Sequence, residues 1–555
     1  MLVVPPNSTP PREVVLVGGG HAHVQVLEAF AARPLAGARV TVVVDTPVAV
    51  YSGMVPGFVA GQYRAEELEI DVLPLARRAG ARLVVARCIG VDAGSRRLVL
   101  DGRSSLPYDV ASFDVGSIVA GLERPGVREH ALPTRPIGLL VRGVEQRLTN
   151  AGAAPRVVVV GGGAGGVELA FTLEARLRGA EARLTLVQHS AEVLPGVPRA
   201  LRWKVLAAAA RRRIEVLTER EVVRLEPSAL ILADGEQLPC DLAVWVVGAA
   251  AQRLFADSGL PTTERGFVRV RPTLQIEGHD ELFAVGDCAS LIDHPRTPKA
   301  GVYAVRQGPF LTQNLRAFLA GEALRSYVPQ GDFLLLLNLG DGTAVGSKWG
   351  RSFGGPWVMR WKDRIDRRFM RRFQVLDREG GLLPPFDEMA AKAKDGMDAP
   401  CGGCAAKVAQ PPLERALARL PPAPADPTVF LGLTEADDVA AWTIDGSGRL
   451  AASVDLFRAF TDDPFLIGAV AAVNAVSDLY ASGVAPRWAL AVVVVPEGPG
   501  AGDPEELLAQ VLAGARSALD PLGVALVGGH STTGADLAVG FAVHGALPPD
   551  GRLLT

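Results

Sequence analysis

Two groups of residues in this chain have the types and spacing to do chemistry. The first is a pair of glycine-rich stretches, each behind a run of aliphatic residues. Val14-Val-Leu-Val-Gly18-Gly-Gly20-His-Ala-His23 reads as a buried strand, a tight turn and the start of a helix. Arg156-Val-Val-Val-Val160-Gly161-Gly-Gly163-Ala-Gly-Gly166 repeats that order. Such a stretch can hold a dinucleotide: the first glycine makes the turn, the second lets the backbone approach a pyrophosphate, and the third eases helix packing. The free amides and the helix dipole favour the anion. All three positions are glycine in the second stretch, whereas His23 fills the third position of the first. Asp45 closes the β-like run Ala38 to Val44, roughly 20 residues past the glycines, where an acid binds a ribose hydroxyl; a turn or cap aspartate is the alternative. A third signal, Leu282-Phe-Ala-Val-Gly286-Asp287, puts an aspartate at the end of a strand, where it can hold a polyol chain.

The second group lies near the other end. Cys401-Gly-Gly-Cys404-Ala-Ala-Lys407 places a thiol and an ammonium in a glycine-rich segment, which suits a mobile nucleophile brought to a phosphate. Half a zinc site is the alternative, but no second cysteine pair or histidine cluster follows. Further on come Asp437-Asp438, Asp455, Asn474-Ala-Val-Ser-Asp478 and Gly528-Gly529-His530-Ser531. Each could be a cap or turn on its own. Several carboxylates between apolar strands suggest Mg²⁺ bridging to a polyphosphate.

The elements that must position these residues set the fold class as α/β, two Rossmann-like dinucleotide-binding folds, followed by a further module that the family resemblance given below implies is α+β. At 555 residues the chain is too long for one core and suggests about three or four domains. A hydrophobic fraction of 48% is ample for burial, and a net charge of −3 gives no global reason to expect nucleic acid. Five cysteines do not make a disulfide framework, so a reducing cytoplasm is the default. Met1 to Arg12 lacks the order of a signal peptide, and no apolar run reaches the ~18 residues of a spanning helix. Gln188 ends the second strand of the second fold, which leaves NADH against NADPH open. Trp357, Trp361, Ile365, Phe369 and Phe373 recur every four residues among seven basic residues. That helix can lie in an anionic membrane surface, on its inner face, or pack on a neighbouring domain or partner. Residues 376–400 read as a linker.

On Gly18/Gly20, Gly161 to Gly166, Pro272-Thr-Leu-Gln-Ile276 and Gly286-Asp287, residues 12 to about 325 resemble the two-dinucleotide flavoprotein reductases, of the type II NADH dehydrogenase and pyridine nucleotide-disulfide oxidoreductase kind. The resemblance implies FAD on a fold made of 12–130 and 262–325 and NAD(P)H on an inserted fold, 131–261. A region 326–375 follows, carrying the basic helix. It implies Asp287 on the flavin's ribityl and pyrophosphate and Glu168 facing the flavin. Lys299 falls near the ring, or is a surface lysine at a helix start. No cysteine precedes Cys88, so electrons leave the flavin directly, to a quinone or another small acceptor, and not through a dithiol. Cys88, Cys240 and Cys288 are isolated and read as inert thiols.

Residues 401–555 resemble the N-terminal half of selenophosphate synthetase (selenide, water dikinase), of the aminoimidazole ribonucleotide synthetase superfamily. That resemblance implies catalytic roles for Cys404 and Lys407, Mg²⁺ on Asp438 and Asp478, and ATP contacts from Asp437, Asp455, Gly529, His530 and Ser531. It also implies a homodimer, because the family builds its site between two subunits. The family's second α/β half is not in this sequence, so a fragment or a remnant with incomplete dikinase activity is expected. The reading is a fusion: an FAD-dependent NAD(P)H oxidoreductase joined to a module that handles selenide. The alternatives are an NADH:quinone dehydrogenase with a vestigial nucleotide-binding tail, and a flavin redox sensor with a dimerising tail.

Overall fold

The computed structural model describes residues 11–373, 426–431, 439–444, 448–497, 502–547 and 553–554. The 376–400 linker, Cys401, Cys404, Lys407, Asp437 and Asp438 lie outside the described residues. Valine-rich strands buried on both faces demand a parallel sheet covered by helices. The first sheet has that form. Its order is Leu282–Ala284, Val110–Phe113, Arg12–Val17, Ala38–Val44, Ala81–Val85, with all pairings parallel and Val14 opposite Val40 and Val110. Leu282–Ala284 joins the sheet after an excursion through a second parallel sheet, in the order Leu132–Pro133, Leu242–Trp245, Arg156–Val160, Arg183–Val187, Glu215–Leu217. One continuous apolar core runs through both.

An antiparallel sheet, Leu335–Asn338, Ala344–Lys348 and Arg351–Gly355, then leads into the helix Pro356–Met370. The aromatic stripe expected along that helix does not form one face. A repeat of four residues advances about 40° beyond a full turn each time. Trp357, Trp361 and Ile365 consequently point outward, while Phe373 is fully buried. The inward face is Val358, Met359, Lys362, Asp366 and Met370, so a basic residue is buried where the sequence suggested a solvated one.

The last module is a six-stranded sheet, Val429–Leu431, Val439–Ile444, Gly448–Arg458, Ala538–Leu547, Pro486–Pro496, Ala525–Gly534, antiparallel but for its final pair. Two helices, Pro464–Ala481 and Pro504–Leu519, cover one face. Each starts with an aspartate cap followed by proline: Asp463 accepts from Phe465 N at 3.1 Å and Asp503 from Glu505 N at 3.0 Å. The expectation that no segment reaches spanning length is corrected by the first of these. It has 18 residues and is apolar enough to cross a membrane by length and composition. Its Ile467, Ala471, Ala475 and Leu479 are buried in the module's own core, which accounts for that composition.

This module docks on the antiparallel sheet Cys88–Asp92, Arg97–Leu100, Leu106–Pro107 beside the first fold. Arg103 donates two hydrogen bonds to Asp463, at 2.7 and 2.8 Å, both side chains are 6% exposed, and the guanidinium lies 4.5 Å over the Phe465 ring. Arg97 forks onto Glu506, and Ser104 bonds to Gln510 at 2.5 Å.

Candidate functional site

At the first elbow Gly18 sits at φ +97°, and a Cβ there would lie 2.4 Å from the Asp114 carbonyl oxygen. Only glycine fits. The helix His21–Ala32 starts immediately after Gly20. His23 is fully buried; burial pulls its pKa down to about 4, so the ring is neutral. Nδ1–H must therefore donate to the Gly18 carbonyl (2.7 Å), leaving Nε2 to accept from Ser112 (2.9 Å). The ring in the third-glycine position thus ties the Gly18 turn to the neighbouring strand through Ser112. Asp45, at the end of its strand, is exposed.

Sequence reasoning assigned no role to Asp114, at the end of Val110–Phe113. Its Oδ2 accepts from the amides of Ala22 (2.8 Å) and His23 (3.1 Å), and burial pushes its carboxyl up to about 6. The signal was a lone aspartate between a buried strand and Gly116. His21 packs beside Tyr51 and Phe369, ring centroids 5.5 and 6.3 Å away. Its Nε2 is buried without a hydrogen-bond partner among the described residues, and burial lowers its pKa. Phe369 belongs to the basic helix, which therefore reaches the first elbow.

Gly286 and Asp287 form the turn after Leu282–Ala284, opposite that elbow. Arg135 donates to Asp287, to Ser117 Oγ at 2.6 Å and to the Lys299 carbonyl at 3.2 Å. Lys299 donates to the Ala289 carbonyl and lies 4.3 Å over the Phe267 ring; burial pulls its pKa down to about 8. It is a half-buried lysine next to the Gly-Asp turn.

The second elbow is built more tightly. Gly161 has φ +117°, and a Cβ on Gly166 would lie 1.7 Å from the Gly161 carbonyl oxygen, whereas Gly163 faces open space. Gln188 accepts from the Gly162 amide at 2.8 Å. A cleft of ≈ 310 Å³ opens beside Gly161, Gln188, His189, Arg220, Trp245 and Val247. An elbow whose second glycine is clear of other atoms among the described residues, next to a cleft of this size, fits a nucleotide.

Between the folds lies a buried polar cluster that sequence reasoning saw only in part. Glu168, four residues into the helix Ala164–Arg176, accepts from the Asn338 amide at 2.8 Å; burial pushes its carboxyl up to about 7, opposed by nearby Lys362. Lys362 donates to Asp366 (2.7 Å) and to the Gly53 carbonyl (2.6 Å), Tyr51 donates to Asp366 (3.1 Å), and Tyr63 to Asp363 (2.8 Å). The three described cysteines are poor thiolates: burial pushes Cys288 and Cys240 up to about 12 and Cys88 to about 11.

In the last module, Asp455 accepts from Asn474 at 2.8 Å and Asp478 from Ser453 at 3.2 Å, so strand Gly448–Arg458 and helix Pro464–Ala481 bring four polar residues together. Gly529, His530 and Ser531 lie on the exposed edge strand. The register runs Asp455, Phe541, Ala491, Gly529 across the sheet, placing Gly529 about 14 Å from Asp455. Among the described residues no three His, Cys, Asp or Glu gather as metal ligands. The second Mg²⁺ candidate, Asp438, lies outside them.

Comparison with known proteins divides the chain in the same two parts. Residues 12–308 match the family model of pyridine nucleotide-disulphide oxidoreductases, and residues 436–547 match the N-terminal domain of AIR synthase related proteins. The demethylphylloquinone reductase NdbB of Synechocystis sp. is 28% identical over 305 residues, 52% of this chain and 74% of that protein. The selenide, water dikinase of Pelobacter propionicus is 39% identical over 153 residues, 28% of this chain. The chain spans only 42% of that dikinase's length. Among solved structures, the sulfide:quinone oxidoreductase of Aquifex aeolicus superposes with TM-score 0.56 at 18% identity, covering 70% of this chain and 96% of that one. NDH2 of Plasmodium falciparum in complex with NADH gives 0.55 at 13% identity, covering 65% and 98%. At such identities the likeness concerns the fold.

Proposed function

Because the chain belongs to the pyridine nucleotide-disulphide oxidoreductase family and carries an AIR synthase related domain fused behind it, we propose that it oxidises NAD(P)H on the second elbow through FAD on the first, and passes the electrons to a quinone. The observation that carries this reading is the pairing of two glycine elbows on two parallel sheets with the Gly286-Asp287 turn facing the first. The flavin supplies the two-electron carrier between nicotinamide and acceptor. Everything else falls to this chain's residues. Asp287, held by Arg135, accepts from sugar hydroxyls, and Lys299 adds positive charge at the same turn. Gly163 leaves room for a pyrophosphate against the helix amides. Glu168 Oε1 is committed to the Asn338 amide, so Oε2 is the atom that holds the proton and can deliver it to a reduced acceptor. Buried thiols that stay protonated favour direct transfer to the acceptor over transfer through sulfur.

For the last module we propose binding of ATP with Mg²⁺, through Asp438, Asp478, Asp437, Asp455 and Gly529 to Ser531, with Cys404 and Lys407 acting on selenide. The likeness to selenide, water dikinases supports it. Exposed Trp357, Trp361 and Ile365, beside Arg360, Arg364 and Arg368, form the face we assign to an anionic membrane surface. The open sheet face carrying Val454, Leu456, Trp488 and Val527 is the one we assign to a second copy of the chain. The test is to purify the chain, record its visible spectrum, and measure NADH and NADPH oxidation with and without a soluble quinone. A yellow protein with quinone-dependent turnover is expected; a colourless one that takes up no added FAD would refute the reading.

A further inference from the structure

The space between the two turns of the first fold is filled from inside. A Cβ on Gly20 would lie 2.2 to 2.4 Å from the three carboxylate atoms of Asp114, and a Cβ on Gly286 would lie 2.6 Å from its Oδ1. The carboxylate is therefore wedged between the glycine elbow and the Gly-Asp turn, and holds the Ala22 and His23 amides at the start of the helix. Those amides and that gap are what a strand-glycine-helix unit offers to a pyrophosphate.

Resting on the flavin reading above, we propose that Asp114 is an internal occupant of the pyrophosphate slot: a carboxylate that competes with FAD for the helix amides and so sets the affinity for the cofactor and its pH dependence. An ionised Asp114 and a pyrophosphate cannot both stay within reach of the same two N–H groups, since like charges that close repel strongly in a buried site. FAD binding must then neutralise Asp114 or turn it aside.

No cation offsets the charge directly, because Asp114 forms no ion pair with a described residue. Burial lowers the pKa of His21, which faces Asp114 from the start of the helix, and any charge it carries draws the Asp114 pKa down, while buried His23 meets Asp114 through its amide. Across the gap, Asp287 is already engaged by Arg135 and adds to the negative potential, while the Cys288 thiol is protonated. Lys299 points to the Ala289 carbonyl. With burial pushing Asp114 up to about 6, its charge changes in an accessible range. The sign follows: FAD favours the protonated carboxyl, binding takes up a proton, and affinity falls as pH rises through about 6.

The test titrates FAD, and riboflavin as a probe without pyrophosphate, into the cofactor-stripped full chain, its Asp114→Asn variant and its Asp114→Ala variant. Flavin fluorescence reports affinity, and calorimetry in buffers of different ionisation enthalpy reports proton uptake. The wild type should lose about tenfold or more in FAD affinity between about pH 5.5 and pH 8, with proton uptake near neutrality. Both variants should bind FAD about tenfold tighter than wild type at about pH 8, with flat profiles and no proton uptake, and riboflavin should be indifferent to all three. Variants that bind FAD no better than wild type at that pH, or worse, would show the carboxylate to be a ligand or a structural post and overturn the proposal. If the wild type binds FAD but the variants differ equally for riboflavin, the pyrophosphate argument fails while the flavin reading stands; if none binds FAD at any pH, the flavin reading falls and takes this proposal with it.

Discussion

Replacing Arg103 with alanine should undock the last module from the first fold. The guanidinium makes two hydrogen bonds to Asp463 and lies on the Phe465 ring, and neither charged side chain is more than 6% exposed. Removing one partner of a buried pair leaves the other charge without compensation, at about 3–5 kcal/mol. The lower end applies, because Arg103 Nε is buried without a partner among the described residues and Asp463 keeps the Phe465 amide. About 3 kcal/mol corresponds to roughly a hundredfold shift toward the undocked form. Asp463→Asn removes the charge but preserves a cap acceptor, whereas Asp463→Ala also loses the cap and should cost about 1 kcal/mol more. Urea unfolding followed through tryptophan fluorescence would show the module's transition separating from that of the oxidoreductase part in Arg103→Ala. The double variant with Asp463→Ala should cost much less than the sum of the two singles. A strictly additive double, or an Arg103→Ala loss below about 1 kcal/mol, would refute the reasoning, since it would place the pair in the exposed class.

Three further outcomes follow from the same geometry. Glu168, protonated below and ionised above about pH 7, should make quinone-dependent turnover decline as pH rises through that value; Glu168→Gln should lower kcat by about 100-fold and flatten the profile in steady-state assays. His23→Ala removes one buried and one part-buried hydrogen bond and much of a buried ring, so thermal unfolding should show a loss of about 2–4 kcal/mol. Trp357→Ala with Trp361→Ala removes exposed aromatic surface next to arginines, so co-sedimentation with anionic vesicles should drop about tenfold or more while turnover with a soluble quinone is unchanged.

Much of the architecture is legible in the sequence because it is locally encoded. Strand Arg156–Val160, its turn and helix Ala164–Arg176 follow one another as the pattern requires, since a buried parallel strand needs its apolar run and the turn needs glycine whatever lies around them. The fusion is legible for the same reason, as each part carries its own pattern. The basic helix shows where such reading stops. Its spacing reveals amphipathicity, but which side is inward depends on the partners that meet it, and the structure turns Lys362 and Asp366 in toward Tyr51, more than three hundred residues back.

The sequence by itself thus determined the folds, their order and the elbows, all matters of short-range backbone demand and periodic burial. Tertiary structure alone decided that Asp114 lies between two glycine turns, that His23 braces the elbow through Ser112, and that Arg103 meets Asp463 across 360 positions. Side-chain pairings of that range carry no periodicity and no fixed spacing. They exist only once the sheets have brought distant strand ends within bonding distance, and burial then fixes the charge each group can carry.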